Sequence, residues 1–306
     1  MSSTTSTRNL LDVTDLTADE VVAVLDLARR DPADLGRPLD GRGVAMIFEK
    51  PSTRTRHSTE IAVVQLGGHP VYTRGEEVGI DTREPAEDVV RILEGYHAVI
   101  AARVFDHGVL VRMTAVAAVP IVNLLSDRAH PLQAIADALT MEDELGSLKG
   151  RRVAWVGDYN NVARSLTEIS TMLGAEMALA CPADFGPDDV ELERLQLVGD
   201  GAVTLHHQPV EAVGGADVVH SDTWVSMGQD GEKSQRIRAF EGFTVDDSLM
   251  AAAAPDAIFM HCLPAYRGLE VAASVIDGPR SRVFRQGHNR LDAARAALAF
   301  LVGTRP

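Results

Sequence analysis

The sequence predicts an α/β protein of two domains, each a parallel sheet flanked by helices. Three observations predict it. Short apolar runs alternate with helical stretches, the mark of strand–helix–strand crossovers. The alternation runs to about residue 145 and restarts at GRRVAWVGD (150–158). The 306 residues suffice for two cores, and the hydrophobic 45% is mostly aliphatic, with 5% aromatic.

The elements follow in order. TADEVVAVLDLARR predicts a helix with Thr17 as N-cap and Glu20 at the capping-box position. GVAMIFE (43–49) predicts a strand, HSTEIAVVQLGG a helix ending at Gly67-Gly68, and HPVYT a second strand. EPAEDVVRILEGY predicts a helix with Pro85 in its first turn. HAVIAARVF (97–105) and VPIVNLL (119–125) are strands, and HPLQAIADALTMEDEL opens a long helix. In the second half GRRVAWVGD, EMALACP (176–182), VTLHH, ADVVHSDTW and AIFMHCLP are strand-like, and VARSLTEISTMLGA is helical. SLKG (147–150) reads as a hinge, so the expected domains are 1–145 and 146–306. The amphipathic NRLDAARAALAFLV, about 289–303, is expected to pack back on the first domain.

Composition excludes several classes. The chain has 44 Asp+Glu against 29 Lys+Arg, a net charge of -15. Nucleic acid and anionic membranes need basic surface, so neither is an expected partner. No apolar run is long enough to span a bilayer, and the polar N-terminus lacks a secretory apolar region. Cys181 and Cys262 form no Cys-x-x-Cys pair or Cys/His cluster that suggests zinc, and they suit a reducing, cytoplasmic setting.

Against this acidity, EKPSTRTRHSTE (49–60) stands out: Lys50, Arg54 and Arg56 join Ser52, Thr53 and Thr55 with no acid among residues 50–56. A strand, a turn at Lys50-Pro51 and a helix start near Ser52 make a β-turn-α unit. The first helical turn offers unpaired N–H groups and a partial positive charge, so hydroxyls and arginines around it make a phosphate cradle. Charge-assisted bonds there contribute about 1.5–3 kcal/mol each. Charges farther off than about 8 Å are largely screened, so the local cluster prevails over the acidic whole.

Five stretches, in order along nearly the whole chain, then point to one family. STRTR (52–56), Arg103 in AARVFDH, HPLQ (130–133), SDTWVSMGQ (221–229) and HCLP (261–264), with GDYNN (157–161) and HNR (288–290), resemble the aspartate/ornithine carbamoyltransferases. The SMG and HCLP stretches resemble the ornithine branch most closely. The resemblance implies a carbamoyl-phosphate domain followed by an ornithine domain, an active site in the cleft between them, and homotrimers. It implies carbamoyl transfer to the δ-amine of L-ornithine, giving citrulline and phosphate, with no cofactor and no metal.

It also implies roles. Ser52, Thr53, Arg54 and Thr55 hold phosphate, while Arg56 supports the structure. Arg103 bridges phosphate and carbonyl oxygens, His130 bonds the carbonyl oxygen, Gln133 meets the carbamoyl NH2, and Leu263 orients it through its backbone carbonyl. Arg290 reaches carbamoyl phosphate. Asp222 pairs with the ornithine α-ammonium, and Asn161, Ser226 and Met227 hold the amino-acid head. Cys262 lies near the reacting amine. An alkylamine has a pKa near 10.4, so either a Cys262–Asp222 pair takes its proton or it binds neutral.

The sequence departs from the family in three places. Tyr266 stands where bacterial members often have His, and His288 stands where an acid is usual. Glu76 and Glu77 occupy the region of a loop that crosses to a neighbouring subunit, and no role is assigned to them. GDYNN lacks G-x-G-x-x-G, which argues against a dinucleotide enzyme. Other amines (acetylornithine, succinylornithine, putrescine) and a non-catalytic paralogue that only binds carbamoyl phosphate are the alternatives.

Overall fold

The structure, a computed structural model, describes residues 7–225, 231 and 233–304. It divides into two compact units: Met1–Ala136 with Arg290–Pro306, and Asp137–Asn289. The chain passes from one to the other inside two helices.

Unit 1 begins with α1 (Ala18–Arg29), then β1 (Gly43–Phe48), α2 (Thr53–Gln65), β2 (His69–Arg74), α3 (Gly75–Val78) and α4 (Ala86–Leu93). It continues with β3 (His97–Arg103), α5 (His107–Val116), β4 (Ile121–Leu125) and the start of α6 (Pro131–Leu145). The expected capping box closes α1: Thr17 Oγ1 accepts the Glu20 N–H at 3.3 Å, and Glu20 accepts the Thr17 N–H at 3.0 Å. Pro85 is the N-cap of α4, one position earlier than the sequence suggests. The four strands are parallel in the order β2-β1-β3-β4. Alternate β1 and β3 residues (Ala45, Ile47, Ile100, Ala102) pack with Val90, Leu110 and Met113 into an almost wholly aliphatic core.

Unit 2 takes the rest of α6, then β5 (Arg152–Val156), α7 (Asn161–Met172), β6 (Glu176–Ala180), α8 (Asp189–Leu195) and β7 (Val203–His206). Next come α9 (Pro209–Val213), β8 (Val218–Ser221), α10 (Lys233–Ala239), α11 (Asp247–Ala252), β9 (Ile258–His261), α12 (Ala273–Ile276) and α13 (Val283–Leu301). The five strands are parallel in the order β7-β6-β5-β8-β9. Successive side chains fall into different clusters: Val153, Trp155 and Met177 into one, Ala154, Val156 and Ala178 into the other. Both faces are therefore covered, which is why these strands read as continuous apolar runs.

Helix α13 starts six residues before the amphipathic segment read from sequence. Its first turns belong to unit 2, where Gln286 accepts the His261 N–H at 2.9 Å and donates to Asp137 Oδ1 at 2.7 Å. Its later turns belong to unit 1, where Arg295 donates to Gln65 Oε1 at 2.9 Å and to the Ala28 carbonyl at 3.2 Å.

Candidate active site

Each sheet has one point where the strand order reverses, the usual place for a ligand in an open α/β sheet. In unit 1 it lies between β1 and β3. The carboxyl end of β1 leads into the Ser52–Thr55 turn, and β3 ends on Arg103. In unit 2 it lies between β5 and β8. Their carboxyl ends carry Asn160 and Asp222.

In unit 1 Ser52 is the N-cap of α2, and its Oγ accepts the Thr55 N–H at 3.3 Å. No acid occupies the first turn of α2, so its positive end is uncompensated. The Ser52 hydroxyl donates to Thr55 Oγ1 at 3.1 Å, and Arg290 donates to the same oxygen at 2.7 Å. Arg290 also donates to Gln133 Oε1. Thr55, Arg103, His130, Gln133 and Arg290 are all buried. Arg56 turns elsewhere: it pairs with Glu60 at 2.9 Å and stacks over the Tyr72 ring at 3.7 Å.

His130 records the electrostatics. Burial first, and then the charges of Arg290, Arg103 and Arg54, hold its imidazole well below the usual histidine range. It is therefore neutral at ordinary pH, and a neutral imidazole can donate an N–H without acting as an acid. Three guanidinium groups around one neutral ring form a strong anion field in a buried place.

In unit 2 Cys262 Sγ donates to Asp222 Oδ1 at 3.0 Å. Asp222 Oδ1 also accepts the Thr223 N–H at 2.8 Å, and its Oδ2 accepts from Asn160 Nδ2 at 2.9 Å. Asn160 caps α7 as well, its Oδ1 accepting the Val162 and Ala163 N–H groups. Sequence reasoning passed over Asn160 in favour of Asn161, the first residue of α7. The missed signal is an Asn ahead of a helical run, which reads as a cap and hides the free amide end. Leu263 has φ +58°, unusual for a side chain of that size, and its peptide bond to Pro264 is cis. Its N–H donates to His261 Nδ1 at 2.9 Å, which leaves the other ring nitrogen for Glu270, 3.4 Å away. Asp222, His261 and Cys262 offer ligand atoms within 4.8 Å of one another, the one such cluster among the described residues. Ser226 and Met227 lie outside the described residues.

Of the predicted residues, Thr53 and Asn161 are placed only as the first residues of α2 and α7, while the structure gathers Ser52, Thr55, His130, Gln133 and Arg290 into one set and Asp222 and Cys262 into another. One is a buried cationic cradle suited to an oxyanion. The other is a carboxylate–thiol pair that offers acceptors to an ammonium or amine.

A parallel α/β chain with such sites belongs to the group-transfer enzymes that handle phosphorylated donors, and the comparisons with known proteins give the family. Residues 8–143 match the carbamoyl-P binding domain of aspartate/ornithine carbamoyltransferase, and residues 149–301 match its Asp/Orn binding domain. The chain belongs to the aspartate/ornithine carbamoyltransferase family. It is 47% identical over 301 residues to an ornithine carbamoyltransferase of Acidothermus cellulolyticus, covering 96% of each chain. It is 43% identical to the anabolic ornithine carbamoyltransferase of Pyrococcus furiosus, covering 97% of this chain and 96% of that one. The solved ornithine carbamoyltransferase structure from Pyrococcus furiosus superposes with a TM-score of 0.92 at 42% identity, over 97% of this chain and 98% of the other.

Proposed function

We propose that the chain transfers the carbamoyl group of carbamoyl phosphate to the δ-amine of L-ornithine, giving L-citrulline and phosphate. The observation that carries this reading is the buried Asp222 carboxylate, bonded to the Cys262 thiol at a switch point of unit 2. A diamine needs such an acceptor.

Unit 1 holds the donor. The N–H groups of the first α2 turn, with Ser52, Thr53, Arg54 and Thr55, take the phosphate oxygens, and Arg290 supports them. Arg103 spans phosphate and carbonyl oxygens, the neutral His130 donates to the carbonyl oxygen, and Gln133 accepts from the carbamoyl NH2. Unit 2 holds the acceptor, with Asp222, Asn161, Ser226 and Met227 on the amino-acid head and Cys262 and the Leu263 carbonyl beside the reacting groups.

The neutral amine attacks the carbonyl carbon, and the oxygen gains negative charge. Thr55, Arg103 and His130 stabilise that oxyanion; one such donor is worth about 2.7–4 kcal/mol. The carbon–oxygen bond to phosphate then breaks, and the leaving charge stays in the cationic cradle. The proton lost by the amine goes to the Cys262–Asp222 pair or has been shed before binding. Positioning and charge stabilisation do the rest, without a covalent enzyme intermediate.

The Pyrococcus furiosus relative is named as an anabolic enzyme, which favours the biosynthetic direction. Two cysteines make no disulfide framework, which favours a reducing, cytoplasmic setting. No helix among the described residues is long and apolar enough to cross a membrane. A homotrimer accounts for apolar surface on unit 1: Ile61 and Val64, one turn apart on α2, and Val71 on the edge strand β2 are exposed.

A colorimetric assay for the ureido product, run with ornithine, acetylornithine, succinylornithine and putrescine, tests the reading. Ornithine is expected to give the highest kcat/KM. Preference for an acylated amine would move the acceptor, and phosphate-ligand binding without product on any amine would make the chain a binding protein.

A further inference from the structure

Lysine is rare here: of 29 Lys+Arg residues, only Lys50, Lys149 and Lys233 are lysine. Lys50 stands in the turn that enters the phosphate cradle, two residues before Ser52. Its ammonium lies 4.2 Å from the centroid of the Phe105 ring. That ring is tied to the same turn, because the Phe105 N–H donates to Glu49 Oε2 at 2.7 Å. The Glu49 N–H in turn donates to the Arg103 carbonyl at 2.9 Å. Lys50 is therefore laced to the end of β3, beside Arg103.

An ammonium differs from a guanidinium in one decisive way: it can lose its proton and become a nucleophile. Burial, and then the charge of Arg103, push Lys50 below the usual lysine range; Asp127 and Glu49 oppose this and lose. The Phe105 face also favours the cation, but that ring is 53% exposed, so its pull is weak.

We propose that Lys50 is a carbamoylation site, which takes the carbamoyl group when carbamoyl phosphate accumulates without its amine acceptor. The Nζ lone pair bonds to the carbonyl carbon, and the carbon–oxygen bond to phosphate breaks with its electron pair on the phosphate. The proton leaving Nζ ends on the phosphate. Isocyanic acid, released when carbamoyl phosphate eliminates phosphate, delivers the same group by addition of the N–H across its carbon–nitrogen bond. In both cases a cation becomes a neutral urea in the turn that leads into the phosphate cradle. The KM for carbamoyl phosphate should then rise about two- to fivefold, the worth of one partly screened charge.

The inference rests on reading unit 1 as the carbamoyl-phosphate half. The test incubates the full chain with carbamoyl phosphate and no amine at about pH 8, where more amine is neutral. A parallel sample receives cyanate alone. Peptide mass spectrometry follows the carbamoyl mass on each lysine over time, with Lys149 and Lys233 as internal references. Lys50 should be labelled faster than both. A higher yield with carbamoyl phosphate assigns the group to bound substrate, and equal yields assign it to isocyanic acid. Lys50→Arg should abolish the time-dependent rise in KM. Labelling of Lys50 no faster than of the other two lysines in either sample overturns the inference, as does a KM that still drifts in Lys50→Arg. A chain that makes citrulline yet leaves Lys50 bare loses this inference alone; one that makes none loses the underlying reading.

Discussion

Arg290 sets the electrostatics of unit 1 at the scale of single residues. It is buried, bonded to Thr55 and Gln133, and one of three guanidinium groups that depress His130. Like charges gathered around one ring repel, and a bound phosphate offsets that repulsion. Inorganic phosphate at 100 times its Kd is expected to add about 2.7 kcal/mol to the stability of the wild-type chain. Arg290→Ala should lose most of that gain in a thermal shift titration and at least about tenfold in kcat/KM, or roughly 1.4 kcal/mol. An unchanged phosphate shift would remove Arg290 from the cradle. His130 has its own signature. Unfolded, its imidazole takes a proton near pH 6.5; folded, it does so only at much lower pH. Its contribution to stability is complete above about pH 6.5 and is lost as pH falls from there towards the folded value. His130→Gln should flatten the slope of denaturant stability below about pH 6.5, and an unaltered slope would show that His130 titrates normally.

At the scale of elements, α7 and α8 are joined by a charge network that also braces the turn after β5. Tyr159 in that turn donates to Glu191 Oε1 at 2.8 Å; Arg164 reaches the same carboxylate at 3.1 Å, and Arg194 reaches it at 2.6 Å. Burial alone would raise Glu191, but the bonds from Arg194 and Tyr159 outweigh it and pull its pKa down to about 2. The bracing is therefore intact above about pH 4.3, the unfolded value, and fades as pH falls towards 2. Glu191→Gln should lower Tm at pH 7 and lose that deficit in strong acid; a deficit constant with pH would assign the effect to packing. This scale also shows how far the sequence could be read. Strand positions followed from apolar runs, because the inner strands of both sheets are buried on successive residues. The run HGVLVRMTAV, rich in β-branched valines, carries little helical propensity, yet it forms α5 with Asp106 as its cap. Gly287 obscured the start of α13; no neighbour crowds it, and the buried bonds of Gln286 and Asn289 outweigh a penalty of about 1 kcal/mol. Asn160 was hidden because its two jobs, cap and Asp222 partner, look identical in one dimension.

At the scale of the whole molecule, the acidic chain still buries two cations, Arg103 and Arg290, in unit 1 near the start of α2. With Ile61, Val64 and Val71 exposed on unit 1, sedimentation velocity should give a species about three times the 32.9 kDa chain mass. Val64→Asp should shift it towards the monomer, and a monomeric wild type would end the trimer reading. The division of the chain has a further consequence, for biosynthesis. Unit 1 is discontinuous: its second piece, from Arg290 on, is translated only after unit 2. A nascent chain can form its first sheet early. It cannot complete the cradle until Arg290 reaches Thr55 and Gln133, after all of unit 2 has left the ribosome. A product stopped between residues 262 and 289 has every described strand of the fold and no finished anion site.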